Sequence, residues 1–534
     1  MLMAEADVYR RFRAPIEDGQ TLVAPARAEL ANVIDRNRHH LAASEYDVQG
    51  RSLGELAASA RRSLVNRALA YTQRYRTVSP RHLEAAGRGG PIVLSGHQPQ
   101  LFHAGVWYKN FVLGSVAAEV GGAAIHLLID SDLCRSASIR VPSGSVVAPR
   151  AETVAFDELA ADVPYEERIV RDESRFAGFS AEVRQHLRPF LTAPLVEELW
   201  PLMPTASEER NLGLRIARGR HRLEEILGND TLELPQSGVC QLPEFHWFVA
   251  HLAAHMPRFQ LAYNESLAAY RQAHHLRNRA HPIPDLVESD GWLEAPFWMW
   301  TADDPHRSAV FVRQRGDTIE LSDRRQQTIV LPLTAESDAA LAADELAAAA
   351  GRGIKLRTRA LGTTLFARLA LSDLFLHGIG GAKYDQVTDD IARRFCGFTL
   401  PAYATASATL RLPVARPARM ATTLPEIKRQ LRELAYHPER FVSANGSAAS
   451  AAAILAKEHA IRAERTATNG FARHRSIVTA NDALQPFVEA RRIELIGKRD
   501  QIEQQQAVES ILNSREYSFC LFPRNHFQQL IADA

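Results

Sequence analysis

The sequence predicts an α/β protein, and residues 91–135 carry most of that prediction. They begin with a short β-branched run at 92–94 that ends at a glycine, which is typical of a buried strand. Apolar residues at helical spacing follow over 106–116, with two glycines beyond them. A second apolar run at 125–129 completes a strand–helix–strand unit. In such units ligands bind beyond the carboxyl ends of the strands.

Polar clusters follow both strands, so both are expected to face one crevice. In the first, Gly96 lets the backbone approach a ligand closely, and Gln98 lies two residues further on. His97 and His103 are candidate catalytic residues, because histidine donates hydrogen bonds to phosphate and moves protons near neutral pH. The N-terminus of the following helix would face an anion. The alternative is a polar turn with capping side chains.

The second strand ends in Asp130-Ser131-Asp132. Two carboxylates two residues apart are suited to hold Mg²⁺, a ribose or an ammonium group. Asp130 and Asp132 are therefore the other candidate catalytic residues. The alternative, which the residues leave open, is that they cap the segment that follows.

A glycine-rich stretch at 377–385, HGIGGAKYD, is the third candidate site. Glycines followed by a lysine and a helix can cradle a phosphate or a carboxylate with backbone N–H groups and an ammonium group. The candidate binding residues are Gly378, Gly380, Gly381, Lys383 and Asp385. The spacing is not that of a P-loop. The alternative is a helix-to-helix turn that needs positive φ.

The stretch 243–279 is helical in pattern and rich in histidine. His251 and His255 share a helical face, but no acidic residue between them and no convergent third ligand completes a zinc motif. Ordinary core or surface histidines are the simpler interpretation. The residues of this stretch that are candidates to line the pocket are Asn264, Arg271, His275 and Arg277.

The rest of the chain also alternates between helical and strand patterns. Helical spacing predicts helices at 53–75, 172–227, 337–350, 361–376, 384–395 and 425–513, with a break near 445–447. Short apolar runs predict strands at 139–141, 146–147, 232–234, 297–300, 309–313, 318–321, 329–333 and 519–523. We expect a helical segment over 1–85, an α/β core over 86–424 with a helical insertion at about 172–285, a helical arm over 425–513 and a return to the core over 514–534.

Composition narrows the function further. At 534 residues the chain is long enough for two or three structural units. Its formal net charge of +1 does not favour nucleic acid or a membrane surface as the partner. The sequence contains neither a membrane-length apolar run nor an apolar signal core near its first residue, so a cytoplasmic location is expected.

Taken together, these segments resemble the bacillithiol synthase family, the enzymes assigned the cysteine-adding step. That family has Gly-Gln-Gln-Pro-Gly-Leu-Phe after an early strand, and residues 96–102 here read GHQPQLF. Tyr108 and Lys109 lie in the next helix as in the family, and acidic residues end the next strand. A Gly-Gly loop, a helical stretch and a closing CLFPR segment follow in the same order. The chain departs from the family at His97 for glutamine, Gln100 for glycine and 382–383 for Pro-Gly.

The resemblance implies a Rossmann-like nucleotidyltransferase-type core with helical insertions and a C-terminal, coiled-coil-like arm that forms a homodimer. It also implies a ligase that joins cysteine, or a similar amino acid, to an amino sugar conjugate. The implied substrate or nucleotide ligands include Gly96, Gln98, Tyr108 and Lys109. ATP or ADP and Mg²⁺ are the candidate cofactors, and no structural metal is expected.

Two alternatives stay open. One is a nucleotidyltransferase-like enzyme acting on another small molecule, since the loop after the first strand also resembles that of class I nucleotidyltransferases. The other is a non-catalytic dimeric binding or scaffold protein. A scaffold has no reason to bring His97, Asp130 and Lys383 together, whereas an enzyme does.

Overall fold

The computed structural model describes residues 9–159, 162–278, 280–414, 423–442, 447–466, 468–532 and 534. The chain is a mixed α/β protein and divides into two compact units. The larger unit comprises residues 1–141, 152–413 and 515–534, and the smaller comprises 142–151 and 414–514. None of the described helices combines the length and the hydrophobicity needed to cross a lipid bilayer.

The strands are numbered here in chain order. They are β1 (Thr21–Ala24), β2 (Ile92–His97), β3 (Ala123–Leu128), β4 (Ser138–Ser145), β5 (Ala148–Ala155), β6 (Leu232–Pro235), β7 (Glu288–Ser289), β8 (Trp292–Trp300), β9 (Ser308–Arg315), β10 (Thr318–Ser322), β11 (Thr328–Pro332), β12 (Lys355–Thr358), β13 (Leu374–His377) and β14 (Ala404–Ala408).

The helices are numbered in the same way. They are α1 (Leu30–Ala42), α2 (Leu53–Thr72), α3 (Pro80–Arg88), α4 (Ala104–Glu119), α5 (Glu173–Leu187), α6 (Val196–Leu199), α7 (Leu212–Ile226), α8 (Gln236–Val239), α9 (Pro243–Ala254), α10 (Met256–Ala273), α11 (Ala340–Gly351), α12 (Ala360–Phe366), α13 (Ile379–Phe395), α14 (Leu424–Tyr436), α15 (Ala448–Arg462), α16 (Gly470–Leu512) and α17 (Arg524–Ala532). A π-helix at Ala367–Leu371 continues α12.

The main sheet of the larger unit has the strand order β1-β14-β13-β2-β3-β6 in the part of the chain that the structure describes. All neighbours are parallel except β1, which runs antiparallel to β14. The chain moves one way from β2 through β3 to β6, and the other way from β13 to β14. The strand order therefore reverses between β2 and β13. Ligands of open parallel sheets bind at such a reversal.

The residues of the central strands explain why they lie at the middle of the sheet. β3 is buried along its whole length and β2 over its first four residues, as expected for parallel strands that are covered on both faces. Helix α4 follows β2 and is itself almost wholly buried. The predicted strand–helix–strand unit over 91–135 is confirmed, with β2, α4 and β3 each within a few residues of the expected bounds.

A second sheet in this unit is antiparallel, with the order β11-β10-β9-β8-β12 and β7 paired to β8. The predicted hairpin around Gly316 joins β9 and β10. β4 and β5 form a two-stranded sheet.

Of two helix predictions near the site, one is wrong and the other is confirmed but starts too late. The segment 361–376 is not one helix, because α12 and the π-helix end at Leu371 and β13 begins at Leu374. The break falls at Asp373, whose Oδ2 accepts a hydrogen bond from the backbone N–H of Ile92 at 2.8 Å. The predicted helix at 384–395 begins five residues earlier, at Ile379, so the glycines form its first turn rather than a separate loop.

Other differences lie further from the site. The N-terminal 85 residues contribute the edge strand β1 as well as helices, and β14 was not predicted. Residues 146–147 are the turn between β4 and β5, and the predicted strand at 519–523 begins instead with a 3₁₀ helix, Phe519–Leu521. The predicted break near 445–447 lies largely outside the described residues, although Ser447 caps α15.

The smaller unit contains the predicted arm. Helix α16 spans 43 residues with Pro486 inside it, and α14 and α15 pack against it. Ile427 and Leu434 of α14 share a small apolar cluster with Val488, Leu495 and Ile502 of α16. This cluster gives the unit a core of its own.

Candidate functional site

A cavity of about 440 Å³ lies where the strand order of the main sheet reverses. Its walls include the end of β2, the start of α4, the end of β13 and the first turn of α13. Two helix N-termini therefore border one space. At α4 the N-cap residue His103 accepts the first-turn N–H groups of Gly105 and Val106, so the open backbone donors are those of the first turn of α13. Such an arrangement is suited to an anion.

The first wall is built around the N-terminus of α4. His103 is the N-cap residue, and its Nδ1 accepts the backbone N–H of Gly105 at 3.1 Å. Gly105 packs so closely against the carbonyl oxygen of Ala408 that a β-carbon would not fit. Burial lowers the pKa of His103, which favours a neutral ring that keeps this capping bond. His103 therefore caps helix α4, and it also lines the cavity.

Lys109 and His97 add polar groups to the same wall. The Lys109 ammonium donates to the carbonyl oxygen of Gly96 at 2.8 Å. Burial, and then the nearby Arg220, lower the pKa of Lys109 to about 7. Burial, followed by Lys109, lowers the pKa of His97 to about 3, so His97 is a neutral donor or acceptor near neutral pH. Its ring packs edge-on against Phe102, with centroids 4.9 Å apart.

The opposite wall is the junction of β13 and α13. Gly378 is the N-cap of α13 in extended backbone, and Gly378, Gly380 and Gly381 all line the cavity. None of the three has positive φ, so the turn alternative for this stretch is wrong. Gly381 is constrained for another reason, because a β-carbon there would lie 2.7 Å from Nδ1 of His377. The absence of a side chain lets the histidine ring approach the start of the helix.

The two aspartates at the end of β3 are engaged by protein groups. Asp130 is buried and accepts bonds from the backbone N–H and the hydroxyl of Ser237, at 2.9 and 2.5 Å. Burial, and then Glu166, raise the pKa of Asp130 to about 7. Asp132 accepts from Gln98 at 2.9 Å and pairs with Arg307 at 3.3 Å.

These contacts decide whether the two aspartates could bind Mg²⁺. No group of three histidine, cysteine or acidic side chains in the described part of the chain is arranged to hold a metal ion. The oxygens of Asp130 and Asp132 are committed to hydroxyl, amide and guanidinium donors, and neither residue lines the cavity. The pair therefore does not fit a Mg²⁺ site, and we derive no step through the metal.

Several other predicted binding residues lie away from the cavity. Asn264 and Arg271 fix the segment after α10, through the backbone of Leu286 and a 2.6 Å pair with Asp285. His275 is exposed, with a φ of 54°. These three do not line the cavity, nor do the buried Tyr108 and the exposed Lys383.

The three residues whose convergence was expected to distinguish an enzyme from a scaffold do not all lie at the cavity. Of His97, Asp130 and Lys383, only His97 lines the cavity. The polar side chains that line it include His97, Gln98, His103, Lys109, His377 and Asp385, with Arg515 from the C-terminal segment. The sequence analysis did not select His377 or Arg515. His377 is the first residue of the glycine-rich stretch 377–385, so its position could have indicated a role. No pattern in the sequence marks Arg515.

No protein-family model matches the sequence, and no curated protein matches it.

Proposed function

We propose that this chain is an enzyme that binds a phosphate-bearing small molecule in the cavity and forms a C–N bond there. The observation that carries this proposal is the convergence of two helix N-termini, those of α4 and α13, on one cavity at the reversal of strand order. A bound anion would accept hydrogen bonds from the first turn of α13 and would lie near the positive end of α4. The protonated form of Lys109 would add a cation beside it.

The larger unit, in this proposal, is a Rossmann-like core of the nucleotidyltransferase type, and ATP or ADP supplies the phosphate groups. The order of motifs supports a ligase like bacillithiol synthase, which would join cysteine or a similar amino acid to an amino sugar conjugate. The alternative is a nucleotidyltransferase-like enzyme that binds another small molecule in the same cavity, and a ligand-binding screen distinguishes the two.

Within this proposal, different residues bind the anion, form hydrogen bonds to the ligand and exclude water. Backbone N–H groups at the start of α13 bind the anion. Neutral His97 donates its Nδ1–H to the carbonyl oxygen of Gln98 at 3.2 Å, so its Nε2 is an acceptor for a hydroxyl or amine group of the ligand. The remaining wall comes from apolar side chains such as Val106, Ile129 and Leu361. They exclude water from the reacting groups, which strengthens the polar contacts that remain.

Gly381→Ala is expected to weaken ligand binding by about tenfold or more, whereas Gly380→Ala should change it by less than about threefold. The new methyl group at Gly381 would meet His377 at 2.7 Å, while the same group at Gly380 finds nothing within 4 Å. The His377 ring cannot retreat easily, because Phe375, Tyr403 and Asp385 contact it. A tenfold loss corresponds to about 1.4 kcal/mol.

The measurement is a thermal-shift and calorimetric screen of both variants with ATP, ADP, inorganic phosphate, L-cysteine and glucosamine. Helical circular dichroism controls for folding. Equal affinity of the two variants for every ligand that binds the wild type would contradict a role for the first turn of α13.

We also propose that the chain forms a homodimer through the arm. Large apolar side chains of α16 are exposed, including Phe487 and Ile493. Replacing both with aspartate is expected to convert a dimer into a monomer by light scattering at micromolar concentration. The polar substitution Gln504→Asp on the same helix is the control. A wild type that is already monomeric would rule the proposal out.

A further inference from the structure

His377, at the end of β13, begins a line of buried polar contacts that leads away from the cavity. Its Nε2 lies 2.8 Å from Oδ2 of Asp385, and the same oxygen accepts from Nη1 of Arg368 at 2.7 Å. The Nη2 of Arg368 then donates to Asp389 at 2.6 Å. The side chains of His377, Asp385 and Arg368 are all at most 5% exposed. The line therefore joins a histidine of the cavity wall to a fixed charge cluster.

The contact with Asp385 decides which nitrogen of His377 carries the proton. Burial alone would raise the pKa of Asp385, but Arg368 and then His377 hold it well below its usual range. An ionised Asp385 only accepts, so Nε2 is the nitrogen that donates. In a neutral ring Nδ1 is then an acceptor. Nδ1 lies beside Gly381, which lines the cavity, and no hydrogen bond from a described residue to Nδ1 is found.

Arg368 holds the carboxylate that contacts His377. It pairs with Asp385 and with Asp389, so Asp385 is fixed on one side by the guanidinium and on the other by the ring. The other titratable or charged groups that surround the ring or face it across the cavity are Tyr403, Tyr384, His97, His103, Lys109 and Arg515.

We propose that His377 is a catalytic residue that accepts the proton of an amine nucleophile, with Asp385 and Arg368 as its positioning residues. This inference rests on the proposed C–N bond formation and specifies the substrate class as a primary amine and an acyl phosphate or acyl adenylate. The amine nitrogen bonds the acyl carbon, and the C–O bond to phosphate breaks with its electron pair leaving on the phosphate oxygen. One N–H proton passes to Nδ1 of His377.

The positioning part is tested without turnover by hydrogen exchange at the ring of His377, followed by NMR of the histidine side chains. The comparison is made for the Nε2–H proton of His377, whose exchange with solvent is slow while it donates to the buried Asp385. Asp385→Asn should speed this exchange by about tenfold or more, whereas Asp389→Asn, which leaves the contact in place, should change it by less than about threefold. Equal exchange rates in the two variants would overturn the assignment of Asp385.

The catalytic part is tested by following amide formation from ATP, L-cysteine and a glucosamine conjugate. His377→Ala should lose roughly a hundredfold in rate, the usual scale for a proton-transfer group. Added imidazole should restore part of it through the cavity, while His306→Ala, an exposed control, should keep full activity. An active wild type with an equally active His377→Ala would overturn the role of His377 alone. A wild type that forms no amide would contradict both the proposed function and the catalytic role of His377. The exchange measurement would still show whether Asp385 positions the ring.

Discussion

Arg220→Met is expected to lower the free energy of unfolding by about 3–5 kcal/mol. Arg220 is 1% exposed and pairs with two buried carboxylates, Glu224 at 2.6 Å and Glu233. Glu224 also accepts hydrogen bonds from the side chains of Trp107 and Asn110, at 2.8 and 2.9 Å. Removal of the only guanidinium that pairs with both carboxylates in the described structure leaves two buried acidic groups without their counter-charge. That is the costly way to break a buried ion pair.

The matched control is Arg222→Met on the same helix. Arg222 is half-buried and donates only to backbone carbonyls of Tyr75 and Leu202. Its loss should cost about 1 kcal/mol. Urea denaturation followed by circular dichroism measures both variants, and equal midpoints would show that the Arg220 cluster contributes no more than an ordinary hydrogen bond.

Lys109→Met is expected to stabilise the protein by about 4 kcal/mol at pH 6, the opposite of the usual result for a buried residue. The pKa of Lys109 is lowered from its ordinary value of 10.5 to about 7, first by burial and then by Arg220. Each pKa unit corresponds to about 1.4 kcal/mol, so the buried ammonium destabilises the folded state. Loss of the hydrogen bond to Gly96 offsets about 1 kcal/mol of the gain.

The pH dependence follows from the same shift. Between about pH 7 and 10.5 the unfolded lysine binds a proton that the folded one does not, so wild-type stability rises with pH in this window. Below about pH 7 the penalty is constant, and above about 10.5 it is gone. The gain from Lys109→Met should therefore be full at pH 6 and vanish near pH 10. A gain that does not change between these two pH values would contradict the assigned shift.

Sequence reasoning located residues on both walls of the site but missed the strands β13 and β14, for a physical reason. The strand β2 begins with β-branched residues and has a glycine near its end, so a short stretch of sequence is enough to predict it. The strand β13 reads LFLH and is separated from LFARLAL only by Ser372-Asp373, so leucines lie on both sides of the boundary and helix and strand spacing are hard to separate. The strand β14 reads ATASA, and its small residues carry no hydrophobic signal, although the strand is wholly buried. Tertiary contacts determine both strands.

The same limit applies to the site residues. His97 and Gly381 were predicted because a glycine or a strand end marks them in the sequence, and both line the cavity. The aspartates at the end of β3 carried an equally clear local pattern, but Ser237 and Arg307 engage them, and these partners are more than 100 residues away. The contact between His377 and Asp385 joins a strand to the helix that follows it. No spacing rule for a single element would have paired them.

The pairing of β2 with β13 has a consequence for synthesis of the chain. Asp373 accepts the backbone N–H of Ile92 across 281 residues of sequence, so the two walls of the cavity leave the ribosome far apart in time. The β2–α4–β3 unit emerges first, with its apolar surface toward the missing strand uncovered. The segment 515–534 joins the assembly later still, when the backbone N–H of Phe519 donates to the carbonyl oxygen of Phe102 and its ring packs against Trp107. A nascent chain arrested before β13 should therefore need chaperone protection and should gain protease resistance only after residues 515–534 are released.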